Sequence, residues 1–431
     1  MGKTGLLVLL AVFCFPLHSQ PLPKANQERL VQRLQELAQF KESIKGRVGR
    51  VAFSRADLEA RQYIMEQMRE AGLEVYVDFA GNIIGRRAGS NEALEPIAFG
   101  SHIDTVPNGG DYDGCVGSIG ALEVMTLLHE HGIRTEHPLE MIIFTDEEGG
   151  LTGSRALVGK LTPDALDLMT HSGKTIGEGI RFVGGDPERL DEVRRSKGDL
   201  HAFLELHIEQ GAILESKGLQ IGVVEGIVGI EWWGVTVEGF ANHAGTTPMN
   251  MRQDAVLAGA RLALAVNEIV NSFEGRQVGT VGRFEALPGA PNVIPGKVLM
   301  SLEIRDLDRE KIWSIFRKIE ERTRTIEKET GCRISFDHLN VSAIPAPTDP
   351  RIRAVIAQSA EALGLSYLTM PSGAGHDAQD MAQIAPTGMI FIPSVGGISH
   401  SPEEYSRPED IANGVNVLLH SILALDRLTL D

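Results

Sequence analysis

The stretch "PIAFGSHIDTVPNGGDYDG", Pro96–Gly114, decides the fold. A short apolar run, "PIAF", gives way to fifteen residues that hold one histidine, three aspartates and four glycines. A second apolar run, "MIIF" at 141–144, also ends in charge, "TDEEGG". Between them, Val116 to Leu128 has helical spacing and closes near Gly132. Strand, loop, helix, strand is the order of an α/β domain with a largely parallel sheet. In such sheets ligands gather at the carboxyl ends of strands, where "GSHID" and "TDEEGG" fall. Either the charged loop is a hydrophilic surface turn, or His102 and Asp113 face each other across a metal ion.

Working outward, Leu30, Val31, Leu34 and Leu37 share one helical face. Ser54 with Asp57 reads as a capping box, followed by Leu58, Met65 and Met68 at helical spacing as far as Gly72. From about residue 226 the pattern changes. "GIEWWGVTVEG" reads as a strand and Arg252 to Val270 as a helix. "KVLMSLEIRD" alternates, with Val298, Met300, Leu302 and Ile304 on one face and Ser301, Glu303 and Arg305 on the other. A helix striped with Ile312, Ile315, Ile319 and Ile326 follows, and then the strand "RISFDHL". Strands alternating with two helices predict a split βαβ, ferredoxin-like α+β insert. After about residue 344 the α/β pattern returns, with a helix near 350–363 and the strand "GMIFIPS". The expected organisation is a catalytic domain in two parts, 24–225 and 344–431, interrupted by a smaller domain over 226–343.

The chain of 431 residues is long enough for two or three domains with a sizeable core. A net charge of −17, with no block of Lys and Arg, argues against nucleic acid as a partner. At the start, Lys3 precedes the apolar run "LLVLLAVFCF" (6–15), and Ser19 is a small residue for cleavage. Residues 1–20 therefore read as a secretory signal peptide, too short to span a bilayer. The expected location is secreted or periplasmic, with no membrane association after cleavage. Cys14 falls in that segment, so Cys115 and Cys332 would be left, too few and too far apart for a disulfide framework.

The polar groups that could carry chemistry are His102 and Asp104; Asp113; Asp146, Glu147 and Glu148; His207 and Glu209; His243; His376 and Asp377; and His400. Imidazole with carboxylate suits zinc, or manganese when oxygen ligands are plentiful. Asp104 is placed to orient a ring nitrogen of His102 from outside the ligand set. The adjacent Glu147 and Glu148 invite a division of labour, one on metal and one free to take a proton from water. Each has a plainer reading. A lone His-x-Asp is usually a loop, "DEEGG" a solvated turn, His207 a satisfied core histidine and His400 part of a turn. Joint occurrence at strand ends of one domain favours the metal.

"GSHIDTVPNGGDYDG", "TDEEGG" with "GSRA", "ELHIEQG", "ANHAGTTPM", "PNVIPG", "EIRD", "PSGAGHDAQ" and "GGISHSPEE" run in that order along the chain. In order and approximate spacing they resemble the hydantoinase/carbamoylase family of amidases. These are the N-carbamoyl-L-amino acid hydrolases, allantoate amidohydrolases and beta-ureidopropionases, within a wider group of two-metal exopeptidase-like hydrolases. The resemblance covers nearly all of the chain after its first twenty residues. It implies two divalent ions per subunit, Zn²⁺ or Mn²⁺, held by His102, Asp113, Glu148, His207 and His400, with Asp113 bridging. It implies Glu147 as general base, Asp104 as the partner of His102, and His243 as the group that stabilises the tetrahedral intermediate. It implies substrate contacts from Gln210, Asn292, Arg305 and the loop that begins Ser372-Gly373, with Arg305 on a substrate carboxylate. It further implies that the insert is a lid and dimer interface, so that the protein is a homodimer. "EEGGLTGSRA" is shorter than the same region of many relatives, which bears on one wall of the substrate pocket.

The physics agrees with these roles. A metal site needs a base that is not itself tied to metal, and an oxyanion needs a donor where charge develops. The expected activity is hydrolysis of a carbamoyl or ureido C–N bond in a small carboxylic acid, an N-carbamoyl-L-amino acid first of all. The rivals are an allantoate amidohydrolase or an aminopeptidase on the same scaffold, and a small-molecule binding protein that keeps the fold without the chemistry.

Overall fold

The structure, a computed structural model, describes residues 22–430. The predicted signal peptide lies outside the described residues. No described helix is long and apolar enough to cross a membrane. Cys115 and Cys332 are both buried and unpaired.

The "PIAF" run becomes the strand Ile97–His102, buried at every position. It lies between Ala202–Ile208 and Leu139–Phe144, parallel to both, and Thr387–Ile392 continues the parallel set beyond Ala202–Ile208. Such strands are mostly apolar because both faces are covered. The period of two still sorts their side chains. Ile97, Phe99, Leu139, Met141, Leu204 and Leu206 enter one core, while Ala98, Ile142, Phe144 and Phe203 enter another on the opposite face.

The rest of this nine-stranded sheet corrects the expectation of a largely parallel one. Ile83–Arg87 joins Leu139–Phe144 antiparallel, and Glu74–Val77 adds antiparallel outside it. At the other side Ile221–Ile227 meets Thr387–Ile392 antiparallel and Tyr367–Ser372 parallel. The fold is therefore mixed α/β, with a parallel centre and antiparallel flanks. Glu74–Val77 and Ile83–Arg87 are joined by a short loop and so run antiparallel, whereas the parallel centre needs the helical crossovers.

The helix Cys115–Glu130 is one such crossover, buried along almost its whole length. Gly117 lets it lie directly on the sheet, since a Cβ there would sit 2.0 Å from the Leu206 carbonyl oxygen. The first helix, Gln27–Leu37, buries Leu30, Leu34 and Leu37 as its spacing predicts, while Val31 is only partly covered. In Arg55–Glu70 the buried stripe is Ala56, Ala60, Ile64 and Met68, with Leu58 and Met65 only partly covered. Ser54 accepts from the Asp57 N–H, but the Asp57 carboxylate reaches past Ser54 to the Phe53 N–H, so the capping box is not closed.

The chain leaves the main sheet after Ile227 and rejoins it at Ala346–Pro347, which pairs with the strand it left. Between these points a second sheet forms, all antiparallel, in the order Val278–Thr280, Lys297–Asp306, Gly229–Glu238, Arg333–Ala343. The helices Ala255–Asn271 and Arg309–Thr330 share one core with Trp233, Val235, Val237, Val298, Met300, Leu302 and Ile304. Ser301, Glu303 and Arg305 stand on the other face, half-buried. Gln379 donates to the carbonyls of Val228 and Ile344, at 3.3 and 2.8 Å, and so ties both crossings between the sheets.

Candidate metal centre

His102 ends its strand and Asp113 stands two residues before the helix Cys115–Glu130. Gly114 makes this turn possible: its φ is +64°, and a Cβ there would lie 2.3 Å from the His102 ring. His207 is near the end of Ala202–Ile208, the next strand of the parallel set. Asp113 Oδ1 lies 3.0 Å from His207 Nε2 and 3.7 Å from His102 Nε2. Asp113 Oδ2 lies 3.2 Å from His400 Nε2, which is 3.5 Å from Glu148 Oε2. Among the described residues three groups have the spacing of metal ligands: His102–Asp113–His207 and Asp113–Glu148–His400, which share Asp113, and Glu205–His207–His376.

The imidazoles are set for ligation. His102 Nδ1 bonds the Asp104 main-chain oxygen at 3.0 Å and His207 Nδ1 the Ile208 oxygen at 2.9 Å. A carbonyl can only accept, so each Nδ1 carries a proton and each Nε2 is the ring atom turned to Asp113. Asp104 thus orients His102 through its backbone. Its carboxylate accepts instead from the N–H groups of Glu147 and Glu148, at 3.3 and 3.2 Å. That contact fixes the paired glutamates against the histidine loop.

Glu147 and Glu148 open the short helix Glu147–Gly150 after the strand Leu139–Phe144. Asp146 makes the bend with φ +54°. Gln210 and His400 also have positive φ, at +57° and +55°. Strained non-glycine backbone of this kind persists only where surrounding contacts impose it. Here Thr152 bonds Asp146, Ser394 receives the Gln210 N–H and Glu404 receives the His400 N–H.

The electrostatics show what the cluster lacks. Among the described residues, the ion pairs of Asp113, Glu147 and Glu148 all go to histidines. Burial and then the Glu148 charge push the Glu147 carboxyl well above its usual range. Burial and then Asp113 push Glu148 up to about 8. Burial would raise Asp113 too, but His207, His400 and His102 together outweigh it and hold its carboxyl well below the usual range. Burial lowers His102 to about 4. Against burial, Asp113 beside them raises His207 and His400 to about 9, so the excess of carboxylate is balanced here only by imidazole. Carboxylates and imidazoles packed without an ion-paired lysine or arginine among the described residues form a donor set that fits divalent cations. Glu147 is the carboxylate outside both Asp113 groups, with Oε2 3.7 Å from His102 Nε2.

A model of the peptidase family M20/M25/M40 matches residues 98–424. The chain belongs to this family. It is 41% identical over 403 residues to an N-carbamoyl-L-amino acid amidohydrolase of Geobacillus stearothermophilus, covering 92% of this chain and 98% of that protein. It is 42% identical to a ureidoglycolate hydrolase of Arabidopsis thaliana, covering 93% of this chain and 86% of that one. The crystal structure of a hydantoinase/carbamoylase family amidase from Burkholderia multivorans superposes with a TM-score of 0.87 at 37% identity, covering 94% of this chain and 99% of that one.

The other sequence candidates fall in several places. Gln210 Nε2 donates to Asp113 Oδ2 at 2.6 Å. The Ser372 hydroxyl, buried, bonds His376 Nε2 at 2.8 Å, and the His376 ring packs edge-on against His207 at 4.4 Å between centroids. Gly373 gives its carbonyl to Arg305 Nη1 at 2.6 Å. Glu209 leaves the site and accepts from the N–H groups of Ile213 and Leu214, at the start of the next helix. His243 and Asn292 lie on the paired strands Asn242–His243 and Val293–Ile294 and the turn beside them, both exposed. No hydrogen bond or ion pair among the described residues joins them to the Asp113 groups.

Sequence reading missed Glu404 and Glu205. Glu404, nearly fully buried, accepts from the N–H groups of Tyr112, Asp113 and His400 at 2.9–3.1 Å. It clamps the Asp113 turn to the His400 turn across almost three hundred residues. The adjacent acids in "SHSPEE" were the available signal. Glu404→Ala is expected to weaken metal affinity about 10- to 100-fold, as loss of a ligand-orienting partner does. Isothermal titration with Mn²⁺ reads the effect, and an unchanged affinity would show that Glu404 only fills space. Glu205 accepts from Ser101 Oγ at 2.8 Å and the Ala378 N–H at 2.9 Å, just under His207. A charged residue two before a histidine inside an apolar strand is its signal.

Proposed function

We propose that this protein is a metal-dependent amidohydrolase that cleaves the carbamoyl C–N bond of an N-carbamoyl-L-amino acid. The observation that carries the proposal is the pair of donor groups sharing Asp113 beside a glutamate that belongs to neither. The relatives named above, an N-carbamoyl-L-amino acid amidohydrolase and a ureidoglycolate hydrolase, support the substrate class. In this reading His102 and His207 hold one ion, Glu148 and His400 the second, and Asp113 both, with zinc or manganese as occupants. Such ions would acidify water and draw electron density from a carbonyl oxygen.

Glu147 takes the proton of the attacking water and returns it to the leaving nitrogen. Its buried setting favours holding that proton between the two events. His243 Nδ1 accepts from the N–H groups of Gly245 and Thr246, at 2.9 and 3.2 Å. The neutral ring must then carry its proton on Nε2, a donor suited to an oxyanion. Arg305 offers its guanidinium to the substrate carboxylate, with Asn292 and Gln210 beside it. The second sheet acts as a lid over the metals, and closure about the crossings held by Gln379 brings His243 to the reacting carbonyl. The same domain supplies the interface of a homodimer, and residues 1–20 direct the protein out of the cytoplasm.

The products are the amino acid, ammonia and carbon dioxide. Protein loaded with Zn²⁺ or Mn²⁺ is expected to hydrolyse N-carbamoyl-L-amino acids in preference to allantoate, ureidoglycolate and dipeptides. Faster cleavage of a dipeptide would overturn the reaction class. Faster turnover of allantoate or ureidoglycolate would keep the chemistry and replace the substrate.

A further inference from the structure

Arg305 is gripped from two sides. Glu303, two residues earlier on the same face of its strand, accepts from Nε at 2.6 Å and from Nη2 at 3.1 Å. The Gly373 carbonyl accepts from Nη1 at 2.6 Å. A guanidinium has five N–H donors in one plane. Three are engaged, and the two left lie one on each terminal nitrogen. An incoming carboxylate can accept from donors left on both terminal nitrogens. From this geometry we infer that Glu303 is a positioning residue for substrate recognition. It fixes the guanidinium plane and leaves a donor on each terminal nitrogen for the carboxylate of the substrate.

The inference rests on the reading of Arg305 as the carboxylate-binding group. The surroundings support a fixed arginine. The Glu303 side chain is 19% exposed and that of Arg305 26%, so the pair is partly shielded from solvent. An arginine side chain free to rotate would lose its rotamer freedom on binding, and Glu303 lowers that loss in advance. Gly373 follows the strand Tyr367–Ser372, whose Ser372 holds His376 against His207. The arginine is thereby referenced to the metal side of the molecule as well as to its own strand. The Glu303 charge also offsets that of Arg305, so selection depends on a ligand that can form two bonds rather than on charge alone.

The test is steady-state kinetics of the metal-loaded protein on an N-carbamoyl amino acid and on its carboxamide counterpart, which lacks the carboxylate. Glu303→Ala is expected to raise KM for the acid about tenfold, the size of one lost charge-assisted hydrogen bond, and to move KM far more than kcat. KM for the carboxamide should stay the same. Glu303→Gln keeps one acceptor for the guanidinium and should fall between; it also serves if the alanine variant does not fold. If Glu303→Ala and Glu303→Gln leave KM for the acid unchanged while Arg305→Ala raises it, Glu303 has no positioning role and the arginine reading survives. If Arg305→Ala also leaves it unchanged, the arginine reading is wrong and the inference falls with it.

Discussion

Glu147→Gln is expected to lower kcat by about 10²- to 10⁴-fold, the usual contribution of a general base, while metal content stays that of the unaltered protein. The side chain keeps its size and its place at the start of the helix Glu147–Gly150, whose N–H contact to Asp104 is a backbone one and survives. What the amide loses is the capacity to accept a proton from water and release it to nitrogen. Glu147 is outside both ligand groups, so the ions should bind as before. Glu148→Gln is the control, because Glu148 is within 3.5 Å of His400 Nε2 in the second group. That variant should lose metal together with activity. Metal analysis beside kcat separates the two, and undiminished kcat in Glu147→Gln would remove it from the mechanism.

Asp113→Ala should abolish activity and metal binding together, a loss larger than the 10- to 100-fold of a ligand-orienting residue such as Glu404. The two oxygens of Asp113 face His207 and His102 on one side and His400 on the other. Its place is set by Gln210, by Ser399 Oγ at 3.1 Å and by Glu404 on its N–H. Without it, the remaining histidines and Glu148 share no anion, and neither group of three is complete. Binding isotherms with Zn²⁺ and with Mn²⁺ measure the loss. Retention of one ion at full affinity would mean that one of the two groups does not depend on Asp113.

His102, Glu147, Glu148 and His207 stood out because each polar type ends or breaks an apolar run: His102 after "PIAF", Glu147 and Glu148 after "MIIF", His207 inside "FLELHI". Asp113 and His400 lie in loops well past their strands, and only the family resemblance assigned them as ligands. The strand Lys297–Asp306 and the isoleucine stripe of Arg309–Thr330 were legible because period two and period 3.6 cannot be mistaken over such lengths. The flanks of the main sheet were not. Glu74–Val77 and Ile83–Arg87 are four and five residues long, and nothing within them encodes the direction of the neighbour they pair with. Glu209 looked like a partner of His207 but faces the helix behind it, since local spacing does not reveal a backbone N–H group waiting to be capped. The choice between the carbonyl and the carboxylate of Asp104 likewise depends on a loop path that residue types do not specify.

The most direct test is anomalous diffraction from crystals of the protein loaded with Mn²⁺. Two peaks are expected, one on each side of Asp113, the first against His102 and His207 and the second against Glu148 and His400. A single peak among Glu205, His207 and His376, the third group with ligand spacing, or any arrangement that leaves Asp113 without an ion, would contradict the shared-aspartate centre.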